Sequence, residues 1–102
     1  MQLPTVERPL ELADKISQSP DAVAREVAGE LVLLQLDSGT YFGLNAVGGR
    51  IWELLEEGDR SVASLCDAII DEFSAPRDEV ENDILALAVS LLDQGLVKIA
   101  PA

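Results

Sequence analysis

A chain of 102 residues with 48% apolar side chains is long enough for one domain with its own core, and one Trp, one Tyr and two Phe leave that core to aliphatic packing. Nineteen carboxylates against seven basic groups give a net charge of −12, a field that repels phosphate backbones and anionic lipid headgroups and so argues against nucleic-acid and membrane partners. No apolar run of about 18 residues, no secretion signal pattern and a lone cysteine together lead to the expectation of a cytoplasmic protein without a membrane span or internal disulfide.

Taken in chain order, residues 1–19 carry Pro4, Pro9 and mixed charge with weak periodicity, and read as an N-terminal arm or tail ahead of a domain at 20–100. Alternation of Arg25 and Val27 with Ala24, Glu26 and Ala28 predicts a first strand at about 22–28, with Gly29-Glu30 as the turn after it. Leu31-Val32-Leu33-Leu34-Gln35-Leu36 is apolar on both faces, as a central strand would be. Asp37-Ser38-Gly39 then closes a hairpin. Gly39 takes a positive φ, and the Asp37 side chain is expected to bond the backbone two residues on. The third strand, Thr40–Leu44, is expected at a sheet edge.

Asn45 stands where an N-cap is wanted, and a helix near 46–57 follows with Val47, Ile51, Leu54 and Leu55 on one stripe beside Trp52, stopped by Gly58. Gly48-Gly49 inside it costs about 1 kcal/mol per glycine relative to alanine, which implies close approach of a neighbour. A second helix near 62–73 has Ser61 as N-cap and gathers Val62, Leu65, Cys66, Ile69, Ile70 and Phe73 on one face. Ser74-Ala75-Pro76 breaks it, and the longest helix runs from Asp78 to Gln94 and stops at Gly95. Val80, Ile84, Leu87 and Leu91 fall on one line of that helix, and Leu85, Ala88 and Leu92 widen the arc by about 100°. An arc that wide needs a second surface to cover it. Val97, Ile99 and Ala100 end the chain as a short extended tail.

Residues for chemistry are scarce. Without histidine the serines have no triad partner, Cys66 lies inside an apolar stripe as a small core residue, no phosphate loop of the required spacing occurs, and the carboxylate pairs match no calcium loop. No catalytic residue, metal site or cofactor is expected. What remains is a surface. Tyr41-Phe42-Gly43-Leu44 carries none of the charge, proline or bulge that normally blunts an edge strand, so an extended peptide could pair with it and lay apolar side chains against the last helix. At this point a plain core strand covered by the N-terminal arm is the alternative, and it stays open.

The run Gly29-Glu30-Leu31-Val32-Leu33-Leu34-Gln35-Leu36-Asp37-Ser38-Gly39-Thr40-Tyr41-Phe42-Gly43-Leu44-Asn45, with Val47-Gly48, Ile51-Trp52-Glu53-Leu54-Leu55 and Gly95-Leu96-Val97, resembles the PqqD-like family of peptide chaperones. The resemblance implies a RiPP recognition element: an α+β, winged-helix-like fold with a three-stranded antiparallel sheet followed by and packed on a three-helix bundle. It implies binding of the leader of a ribosomally made precursor peptide, which adds as a strand to Thr40, Tyr41, Phe42, Gly43 and Leu44. Carried over by position, the helix wall of that site is Val80, Asp83, Ile84, Leu87 and Leu91. The partner enzyme, acting in trans, would be a radical-SAM enzyme or a lasso-type peptidase and cyclase, and the chain a monomer or weak homodimer. Two other readings accompany it. A winged-helix DNA-binding regulator needs basic residues on a groove-entering helix, but 62–73 has none and 77–94 only Arg77. A structural dimerisation module would use the same open edge.

Overall fold

The computed structural model describes residues 10–100. Its elements are β1 (Lys15–Gln18), β2 (Ala22–Val27), β3 (Glu30–Gln35), β4 (Tyr41–Leu44), α1 (Ala46–Glu56), β5 (Arg60–Ser61), α2 (Val62–Phe73), α3 (Arg77–Asp93) and β6 (Val97–Ile99). The fold is α+β, with the expected antiparallel sheet ordered β2-β3-β4 and three helices among the described residues. A second antiparallel sheet, ordered β5-β1-β6, was not expected.

That second sheet corrects the reading of the N-terminal segment. Residues 1–9 of the expected arm lie outside the described residues, but from residue 10 onward the chain is built into the core. Leu10 and Ile16 are fully buried, each worth about 1.5–3 kcal/mol of apolar burial. β1 is the central strand of its sheet, pairing Ile16 with Arg60 on one side and with Ile99 on the other. The carbonyls of Leu12 and Asp14 accept the Ala63 and Val62 N–H groups, which the first turn of α2 would otherwise leave without partners. The expected C-terminal tail is therefore strand β6, and the linker before α2 contains β5.

The β2–β3 turn is tighter than glycine alone would make it. Val27 pairs with Glu30, so the loop is Ala28-Gly29, with φ of 53° and 83°, the two-residue form that suits strand twist. At the β3–β4 turn Gly39 has φ 74° as expected. The side chain that bonds two residues on is Ser38, whose Oγ accepts from the Thr40 N–H (3.3 Å), rather than Asp37. Buried Gln35 braces the same turn: its Oε1 accepts from the Asp37 N–H (2.6 Å) and its Nε2 donates to the Gly95 carbonyl (2.9 Å). One side chain thus ties the hairpin to the end of α3.

Asn45 caps α1, its Oδ1 accepting from the Gly48 N–H at 2.8 Å. A Cβ at Gly48 would stand 3.0 Å from Leu44 Cδ2, so the close approach inferred from the two glycines is real at this position. Ser61 caps α2 through the Ser64 N–H (3.1 Å), and Ser74 ends that helix in the left-handed region. Phe73, expected on the buried face, is 43% exposed at the C-terminal end of α2, where it borders two clefts. On α3 the buried line is Val80, Ile84, Ala88 and Leu91; Leu87 sits to its side, half-buried. No helix among the described residues is long and apolar enough to cross a membrane.

Candidate functional site

In the order β2-β3-β4, both outer strands have open edges, but they differ in character. β2 carries Arg25 and Glu26 along its length, the charged protection typical of an edge, whereas β4 is Tyr-Phe-Gly-Leu without a charge. The hydrogen-bond phase of β4 follows from its turn. The Gln35 N–H donates to the Thr40 carbonyl at 2.9 Å, and pairing of Leu33 with Phe42 and Leu31 with Leu44 keeps the same phase. Alternation in an antiparallel ladder then turns the N–H and C=O of Tyr41 and Gly43 away from β3, towards the open edge.

Side chains alternate in the other direction. Phe42 and Leu44 share the face of buried Leu33, while Tyr41 and Gly43 share the outer face with Leu34 and Val32. The inward pair forms one wall of a groove of about 430 Å³ whose opposite wall is Asp83, Ile84 and Leu87 of α3, with Asn45 and Val47 at its end. A Cβ built on Gly43 would meet nothing within 4 Å, so its approach to solvent is unobstructed.

Of the ten residues expected at the site, six line this groove: Phe42, Gly43, Leu44, Asp83, Ile84 and Leu87. The other four do not line it. Thr40 belongs to the turn, where its Oγ1 accepts from the Ser38 hydroxyl (2.9 Å). Tyr41 is 71% exposed on the outer face. Val80 borders a smaller cleft of about 160 Å³ between α2 and α3, which meets the groove at Val47, Asp83 and Ile84. Leu91 is buried in the core beneath the groove rather than lining it. Asn45 and Val47 were missed as lining residues because a cap and a helix stripe already accounted for them; their position directly after the strand was the available signal.

The groove offers a binding surface: an open row of backbone donors and acceptors beside an apolar trough. Asp83 is the one charged residue lining it, and it forms no salt bridge among the described residues. The nearby arginines are engaged elsewhere, Arg50 with Glu72 (2.8 Å) and Glu53 (3.2 Å), Arg77 with Asp67 (3.1 Å) and Glu81 (3.3 Å). These hydrogen bonds, led by those to Glu72 and Asp67 respectively, hold both guanidinium groups above their ordinary range. Cys66 is away from the groove, and burial, aided by Glu81 and Asp67, pushes its thiol up to about 11, the opposite of what a nucleophile needs.

The family model described as coenzyme PQQ synthesis protein D (PqqD) matches residues 30–97. Two solved structures share the fold. TbiB1 in complex with the TbiA(beta) leader peptide is 41% identical, with a TM-score of 0.73 over 84% of this chain and 99% of that chain. Lasso peptide synthetase B1 complexed with the leader peptide is 29% identical, with a TM-score of 0.70 over 81% of this chain and 96% of that one. No curated protein matches the chain.

Proposed function

Because this chain belongs to the coenzyme PQQ synthesis protein D (PqqD) family, we propose that it is a non-catalytic recognition domain that binds the leader of a ribosomally made precursor peptide and presents it to an enzyme acting in trans. The observation that carries the reading is the pairing of an uncharged open edge, β4, with an apolar trough against α3. A leader strand would bond the outward N–H and C=O groups of Tyr41 and Gly43 and place alternate side chains between Phe42, Leu44, Ile84 and Leu87. Backbone pairing gives affinity with little regard to sequence, and the trough selects the apolar anchors.

Support comes also from the solved structures at 41% and 29% identity, both of which hold leader peptides. The second is named a lasso peptide synthetase component, which favours a lasso-type peptidase and cyclase over a radical-SAM enzyme as the partner. A DNA-binding role is disfavoured by the net charge of −12 and by an α3 whose one basic residue, Arg77, pairs with Asp67 and Glu81.

The test is a fluorescence-anisotropy titration of this chain against the labelled leader of the short precursor peptide encoded nearest to it, with a scrambled leader as control. Saturable binding of the leader alone is expected. Equal binding of leader and scramble, or of neither, would remove the proposal.

A further inference from the structure

The β2–β3 hairpin overhangs the start of α1 and leaves a second cleft of about 570 Å³, larger than the groove and within the range of ligand-binding clefts. The two meet at Leu44 and Asn45, where β4 ends and α1 begins. Leu31, Leu44 and the half-exposed ring of Phe73 make its apolar walls. Gly49 contributes backbone without a side chain, which keeps the floor open beside Leu31.

Its charged lining is one-sided. Glu26, Glu30 and Glu53 face a single cation, Arg50, whose guanidinium is taken by Glu72 and Glu53. Glu26 and Glu30 form no salt bridge among the described residues. Glu26 stands opposite Leu31, which stands opposite Leu44, so this carboxylate occupies the sheet's inward face, in a row otherwise made of leucines. Apolar walls leading to unpaired carboxylates suit a side chain with a long methylene stem and a cationic head. A second copy of this chain is a poor occupant, because each copy carries a net charge of −12.

We infer that this cleft is a second subsite, taking a lysine or arginine and an adjoining apolar residue from the stretch of bound peptide that runs off the Leu44 end of β4. The inference rests on the strand-addition reading above. Because the two clefts meet at Leu44 and Asn45, the basic residue falls within the few positions adjoining the last peptide residue paired with β4. The subsite would fix the register of the leader, which backbone pairing alone leaves free to slip.

The probes are the synthetic leader of the nearest encoded precursor and copies in which each Lys or Arg is replaced singly by Gln, titrated into isotope-labelled protein. One replacement should weaken binding about tenfold and abolish amide shifts at Glu26, Leu31 and Gly49 while those at Phe42–Leu44 persist. The exposed double variant Glu26→Lys/Glu30→Lys should bind the natural leader weakly and recover affinity for a leader with Glu at that position, with native circular dichroism throughout. A leader that shifts Phe42–Leu44 but carries no basic residue in that range, or is indifferent to every replacement, overturns the subsite and leaves strand addition standing. A leader that shifts neither region overturns both.

Discussion

Replacing Gly43 by proline isolates the backbone contribution to the proposed peptide site. The Gly43 N–H points to the open edge and not to β3, so proline removes no bond of the β3–β4 ladder. The preceding residue, Phe42, is already extended, the conformation proline requires of its predecessor, and a Cβ at Gly43 meets nothing within 4 Å. An added strand would nevertheless lose one donor, worth about 1 kcal/mol net, and would hold an unsatisfied carbonyl at about 1–3 kcal/mol. The sum, about 2–4 kcal/mol, is a rise in Kd of roughly 30- to 1,000-fold. Isothermal titration calorimetry with the leader measures it, and Gly43→Ala, which keeps the N–H, should bind within about threefold of the natural chain. If Gly43→Pro kept its affinity with native circular dichroism, or Gly43→Ala lost as much as proline, the edge-pairing argument would fail.

Leu87→Asp should weaken leader binding more than about 100-fold while leaving the circular dichroism native, because Leu87 is half-buried on the groove side of α3. Leu91→Asp should instead unfold the protein, since that side chain is 1% exposed and its carboxylate would have no partner; a native spectrum for Leu91→Asp would contradict the placement of the core. Ala28→Gly should raise stability by about 0.5–1 kcal/mol, or roughly 2–8 °C in Tm, because the relief of a left-handed alanine in the β2–β3 turn exceeds the entropy cost of glycine, as a thermal melt would read. At pH 8 iodoacetamide should alkylate Cys66 a few hundredfold more slowly than a free thiol near 8.5, because burial holds its pKa at about 11. The sign of that shift also means that the folded state keeps its full stability below about pH 8.5 and loses it as pH rises towards 11, so alkaline melts should show a falling Tm.

The stretch from β3 to α1 was legible because local chemistry decides it. Gly39 supplies the positive φ of the turn, Asn45 caps the helix through Gly48, and the apolar run of β3 matches a strand paired on both sides. β1 was not legible. Lys15-Ile16-Ser17-Gln18 has one apolar residue and no alternation, and it becomes a strand through partners about 45 and 80 residues away, in β5 and β6. The β4 wall of the groove could be read from period-two alternation, which separates Phe42 and Leu44 from Tyr41 and Gly43. The α3 wall could not be fixed as well. Its apolar arc is wide enough for several registers, and packing against α2 and β6 is what sends Ala88 and Leu91 inward and leaves Leu87 at the groove.

Amide hydrogen exchange at Tyr41 and Gly43, followed by NMR with and without saturating leader, tests strand addition most directly. Those two N–H groups face solvent at the open edge, so they should exchange freely in the unbound chain and slow by at least about tenfold in the complex, while Phe42, already bonded to β3, changes little. Saturating leader that leaves Tyr41 and Gly43 unprotected, with protection appearing elsewhere on the surface, would contradict the account.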